Sequence, residues 1–127
     1  MSKLFDESKP IFQQVREIIE DQIINGQLKE EDQVPSTNQL ADFYKINHIT
    51  VLKGINQLVE EGILFKKRGI GMFVAVGAKE KLINARKGSF IKDYIVPLVE
   101  EAEKLRIPTE EIIEMVKEVK GGKKNDL

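Results

Sequence analysis

Residues 34–62 read VPSTNQLADFYKINHITVLKGINQLVEEG, and this stretch decides the fold. It divides into two helices about a tight turn. Ser36 is placed to cap the first helix, and Gln39 three residues on can close a capping box. Leu40, Ala41 and Tyr44 give that helix a short apolar face. Lys45-Ile46-Asn47 breaks the pattern. Asn47 is a cap for a second helix that runs to Gly62, a natural residue just past a helix end. At about 100° per residue, Val51, Leu52, Ile55, Leu58 and Val59 gather on one side of the second helix, and Ile49, Thr50, Lys53 and Gln57 on the other. The apolar side requires a core. The other side is small, polar and basic, a surface that fits a major groove. The pattern predicts a helix-turn-helix whose second helix, about 47–61, reads DNA. The competing reading is a helical hairpin inside a bundle.

The residues after Gly62 separate the two. The apolar period changes from 3.6 to 2 in Ile63-Leu64-Phe65-Lys66-Lys67 and Met72-Phe73-Val74-Ala75-Val76. Between these runs lies Arg68-Gly69-Ile70-Gly71, whose two glycines permit a tight turn. A β-hairpin at about 63–75 with a basic shoulder, Lys66-Lys67-Arg68, makes the whole a winged helix. By itself a basic triplet is an ordinary solvated turn. Directly after a reading helix it is a wing that touches phosphate or enters the minor groove.

Upstream, Pro10 suits the first turn of a helix carrying Ile11, Phe12, Val15, Ile18, Ile19 and Ile23 at helical spacing, ended by Gly26. Glu17, Glu20 and Asp21 are expected on its outer face. Residues 1–9 read as polar and loose, and 27–34 as a loop anchored by Leu28. Net charge is −1 over 127 residues, which does not advertise nucleic-acid binding. Its distribution says more. Residues 1–44 hold four Lys/Arg against nine Asp/Glu, whereas residues 45–68 hold five against two. Basic charge therefore concentrates on the helix-turn-helix and wing, and the modest excess favours two copies acting together.

These segments resemble the DNA-binding domain of the GntR family of bacterial transcription regulators. The resemblance rests on Pro10 through Val15, Leu28 through Pro35-Ser36 with Leu40-Ala41, Ile46-Asn47 with Thr50-Val51, Leu58 with Glu61-Gly62, and Gly69 through Val74. It covers roughly residues 10–75. The family usually has Arg where this chain has Asn38, and Ser-Arg where it has Asn47-His48. The Asn at position 47, Lys53 and a short tail are similar to the YtrA-like subfamily. Candidate DNA contacts are Ser36, Thr37 and Asn38 before and in the first helix, Asn47, His48, Ile49, Thr50 and Lys53 in the second, and Lys66, Lys67, Arg68 and Gly69 in the wing. Asn47 and Thr50 are expected on phosphate, and His48, Ile49 and Lys53 on bases.

The remainder, 77–127, is expected to form two C-terminal helices, so the organisation is a winged helix-turn-helix domain at 1–76 and a helical dimerisation tail. Gly88-Ser89 predicts an interruption and Pro97 a kink. Arg106-Ile107-Pro108 predicts a turn, with Thr109 capping a last helix that Gly121-Gly122 ends and a frayed end over 123–127. Ile91, Tyr94, Ile95, Leu98, Ala102 and Leu105 form an apolar stripe that needs a partner, here a second copy, so the protein is expected to be a homodimer on an inverted repeat. The resemblance implies the same use of the tail. About fifty helical residues leave little room for a pocket of ~300 Å³, so no dedicated effector site is expected.

Several classes are excluded. With no Cys there are neither disulfides nor thiolate metal sites, and a single His argues against imidazole clusters. No residue order suggests a catalytic triad or a phosphate-cradling loop. The expectation is a non-enzyme without cofactor or metal. The lack of a long apolar run or a signal-peptide core fits a cytoplasmic protein without membrane contact. The class is mainly α with a small β-hairpin. The function expected is sequence-specific transcription regulation, most simply repression. The alternative is a winged-helix module that binds protein and not DNA.

Overall fold

The computed structural model of the protein describes residue 5 and residues 7–122. Residues 1–4 and 6 of the polar start, and the whole of 123–127, lie outside the described residues. The chain forms two compact units that divide between Ala85 and Arg86.

The first unit is a winged helix-turn-helix. Its elements are α1 (Ile11–Ile24), β1 (Gln33–Val34), α2 (Thr37–Tyr44), α3 (His48–Glu60), β2 (Leu64–Lys67), β3 (Gly71–Val74) and the start of α4 (Ala78–Phe90). Val15, Ile19 and Ile23 of α1 meet Val51, Ile55 and Leu58 of α3, while Leu40 and Ala41 close one side and Leu64 and Val74 the other. Ala78 and Leu82 complete this core, so the first turns of α4 belong to the unit. The start of the chain is less loose than its polarity suggests: Phe5 packs edge-on against Tyr44, and Lys9 pairs with Glu17 at 3.1 Å.

The helix ends follow from local chemistry. Ser36 N–H donates to Gln39 Oε1 at 2.8 Å and Gln39 N–H donates to Ser36 Oγ at 3.0 Å, the reciprocal capping box. Asn47 Oδ1 accepts from Ile49 N–H at 2.8 Å. At the far end of α3, Gly62 has φ 77, and Ile63 N–H reaches back to the Leu58 carbonyl at 2.9 Å. This is a Schellman turn, sealed by contact between two buried side chains. The same motif ends α2, where Ile46 N–H reaches the Ala41 carbonyl at 3.0 Å. Its left-handed residue is Lys45, at φ 57.

Two further features of this unit differ from expectation. Residues 33–34 are not loop: β1 pairs antiparallel with β3, which makes a three-stranded sheet in the order β1-β3-β2. Glu20 is not on an outer face. It is 8% exposed and is held by Arg16, whose guanidinium also grips Glu61.

The second unit contains the end of α4, a π-helical turn (Ile91–Ile95), α5 (Val96–Lys104) and α6 (Thr109–Lys120). Gly88 and Ser89 do not interrupt α4. The irregularity falls at the π turn, where Val96 N–H donates to the Ile91 carbonyl. Pro97 explains its place: the ring has no N–H and crowds the carbonyl four residues back, which a widened turn relieves. Thr109 does not cap α6. It is the first helical residue, and Pro108 precedes it without a side-chain cap. The α5–α6 turn is again a Schellman motif, with Arg106 at φ 58 and Ile107 N–H on the Ala102 carbonyl at 2.9 Å.

Candidate nucleic-acid interface

The exposed face of α3 lies opposite its buried one. Val51, Ile55 and Leu58 point inward, and the face turned away from them carries Ile49, Lys53 and Asn56, with Leu52 exposed at its edge. Ile49 is 76% exposed and Leu52 41% exposed. Leu52 therefore leaves the apolar side on which the helical period groups it. Gln57 leaves the reading face: its Oε1 accepts from Arg16 Nη1 at 2.9 Å. Asn56 is an addition that the 100° arithmetic supplies once Val51, Ile55 and Leu58 fix the inward direction, whereas Leu52 falls at the edge of the buried face and joins by its exposure.

Asn47, His48 and Ile49 are exposed at the N-terminal end of α3, and Thr50 is half-buried beside them. Ser36 and Asn38 are exposed at the start of α2, with Thr37 half-buried. Lys53 is exposed, and its Nζ lies 4.2 Å from the centre of the Phe12 ring. This cation–π contact holds its charge at the edge of the face. Gly54, next to it, is buried. A Cβ there would stand 2.6 Å from the Phe12 carbonyl oxygen, so the missing side chain sets how closely α3 approaches α1.

A clamp on the same side of α3, one and two turns further along, fixes this approach. The Arg16 guanidinium donates from Nη1 to Glu61 Oε2 at 2.7 Å, to Glu61 Oε1 from Nη2, and to Glu20 Oε2 at 2.9 Å. The hydrogen bonds from Arg16 hold the Glu61 carboxyl below the usual carboxylate range, and the same bonds raise the guanidinium's own pKa. Sequence reasoning missed the clamp, because Arg16 and Glu61 are 45 residues apart.

The wing is built by register. Phe65 pairs with Phe73, Lys66 with Met72 and Lys67 with Gly71. Leu64 and Val74 face the core, so alternation puts Lys66 on that same face and Lys67 on the other. On the outer face Phe65 and Phe73 stack with centroids 5.7 Å apart, and Lys67 Nζ lies 4.6 Å from the Phe73 centroid. The basic shoulder is thus divided between two faces, with exposed Arg68 and Gly69 at the tip. β1 braces this tip. Gln33 Nε2 donates to the Ile70 carbonyl at 3.1 Å, and Gly71, at φ 148, leaves room for that amide.

A face of this composition on a helix-turn-helix with a basic wing is chemistry for a duplex. Residues 11–74 match the profile described as bacterial regulatory proteins, gntR family. The chain belongs to the gntR family. The similarity extends past the domain: the HTH-type transcriptional repressor YtrA of Bacillus subtilis is 34% identical over 94% of both chains. The repressor NagR of the same organism is 36% identical over 66% of this chain, which corresponds to only 34% of NagR. Among solved structures, a GntR family transcriptional regulator from Listeria monocytogenes superposes with a TM-score of 0.72 at 29% identity, over 90% of this chain and 98% of that one. The AraR DNA-binding domain in complex with operator ORX1 superposes with a TM-score of 0.52 at 30% identity, over 59% of this chain and 92% of that one.

The tail of this gntR-family chain differs from expectation in two respects. Ile91, Tyr94, Ile95, Leu98 and Leu105 are exposed, but Ala102 is 6% exposed and lies on the floor of a groove between α5 and α6. The groove holds about 500 Å³ and is walled by Leu98, Leu105, Ile112, Val116 and Val119. Two helices do leave room for a groove, because a short turn joins them and no third element among the described residues lines it. Among the described residues no group of His, Cys, Asp and Glu could hold a metal ion, and no helix is long and apolar enough to cross a membrane.

Proposed function

We propose that the protein is a sequence-specific DNA-binding transcription repressor that acts as a homodimer on an inverted repeat. In this reading the winged helix-turn-helix contacts DNA and the helical tail pairs two copies. The observation that carries it is the exposed face Ile49, Lys53 and Asn56, with Leu52 at its edge, set opposite the core on a fold shared with a domain solved on its operator. Asn47, His48 and Ile49 stand at the N-terminal end of the helix, the end that approaches base edges in such folds. Ser36, Thr37, Asn38 and Thr50 flank it as phosphate partners. Arg68 and Gly69 at the wing tip approach the backbone or minor groove, with Lys66 and Lys67 supporting from the two faces of the sheet.

Pairing supports the same reading from the other end of the chain. The tail leaves Phe90, Ile91, Tyr94 and Leu105 each more than half exposed, apolar area that a monomer rarely leaves uncovered. We assign the groove to the second copy and not to a small effector. Two-fold symmetry would set two half-sites about one duplex turn, roughly 34 Å, apart. Selection of bound sequences from random duplexes tests the reading. Enrichment of an inverted repeat with that spacing supports it. No retention on duplex at any salt, with a protein partner bound instead, would replace it with the protein-binding alternative.

A further inference from the structure

The second unit carries both a hole and something that fits it. The hole is the α5–α6 groove, apolar on its floor and walls, with no aromatic side chain lining it and with Glu101 and Lys120 at its rim. The knob is Phe90 with Tyr94, whose rings meet at a tilt with centroids 5.5 Å apart and whose residues are 51% and 66% exposed. Neither ring lines the groove of its own chain. Both features lie along one helical stripe, with Leu98 between them.

We propose, resting on the homodimer reading above, that the two copies cross antiparallel at Leu98 and that each inserts Tyr94 and Phe90 into the other's α5–α6 groove. Spacing along the helix supplies the register. Tyr94 and Ala102 each lie four residues from Leu98, about 6 Å on either side. Phe90 and Leu105 lie eight and seven residues away, about 12 and 10 Å. An antiparallel partner crossing at Leu98 therefore sets Tyr94 over Ala102 and Phe90 beside Leu105. The second contact repeats the first, as a closed two-fold requires. Ala102 is the one small residue on the stripe, and it forms the floor over which a ring can lie. The Tyr94 hydroxyl needs a hydrogen-bond partner once covered. The rim offers an acceptor in Glu101 and a donor in Lys120.

The protein contains no Cys, so single introduced cysteines report neighbours without background. In the intact chain, Leu98→Cys should form a disulfide-linked dimer on mild oxidation at least tenfold faster than Ile113→Cys, which is exposed but outside the groove. Mixing Tyr94→Cys with Ala102→Cys should give the mixed dimer in preference to either self-linked one. The double variant Phe90→Ala, Tyr94→Ala should keep its helix content and raise the dimer dissociation constant tenfold or more. Equal cross-linking at positions 98 and 113, or an unchanged dissociation constant in the double variant, would overturn this pairing while sedimentation still reports a dimer. A monomer by sedimentation at micromolar concentration would remove the dimer itself, and this pairing with it.

Discussion

At the scale of single residues, two neighbours on α3 have opposite duties. Lys53 faces outward with its charge held over Phe12. Lys53→Ala should cost roughly 1–3 kcal/mol at the preferred site and relax the choice of one base pair. Binding selections on the variant check this, and an unchanged preference would remove Lys53 from the reading set. Gly54 faces inward. Helix propensity alone makes Gly→Ala favourable by about 1 kcal/mol, but here the added methyl meets the Phe12 carbonyl oxygen at 2.6 Å. Gly54→Ala should therefore destabilise by roughly 1–3 kcal/mol, a reversal of sign that a urea melt resolves. Sequence reading had the helix but misplaced two of its side chains. The helical period alone groups Leu52 with the apolar side and Gln57 with the exposed one. Leu52 sits at the edge of the buried face and is 41% exposed, and the distant partner Arg16 takes Gln57 in.

At the scale of elements, contacts made across long sequence separations hold the reading helix and wing in place. The Arg16 clamp ties α1 to the end of α3. Because Glu61 has its pKa lowered in the fold, its contribution is complete above the unfolded carboxylate value of about 4.3 and is lost as pH falls through the lower folded value. Glu61 is half exposed, so Glu61→Gln should cost only about 1 kcal/mol at pH 7. That difference from the parent should shrink as the pH is lowered below 4; a difference that grows would contradict the assignment. In the wing, Gln33→Ala removes the brace on the Ile70 carbonyl without removing a charge. It should weaken binding to all duplexes by roughly 0.5–1.5 kcal/mol and leave the salt slope unchanged. Arg68→Ala should weaken binding and lower the slope by about one. Titrations at several salt concentrations separate the two. The caps at Ser36, Asn47 and Gly62 were legible because each is made within five residues. Strand β1 was not, because two residues become a strand only through β3, some forty positions later. The π turn was legible only in part: Pro97 demanded relief, but nothing local fixed which turn would give it.

At the scale of the whole molecule, the proposed mechanism joins two weak half-sites through the tail. A fragment ending at Ala85 keeps Ala78 and Leu82 over the core and should fold as a monomer, whereas one ending at Val76 loses both. Leu98→Glu in the intact chain should likewise yield monomers, at a cost of tenfold or more in affinity for the full repeat, and the same affinity for a half-site. A single sequence displays the apolar stripe but not its cover, which is why the winged helix was readable in detail and the tail only as an unmet need. The most direct measurement is sedimentation of the intact protein with a selected inverted-repeat duplex and with the same duplex after one half-site is scrambled. The account predicts two chains per intact duplex, weakening as salt rises, and a loss of at least tenfold on the scrambled one. One chain per duplex, bound equally well to both, would contradict it.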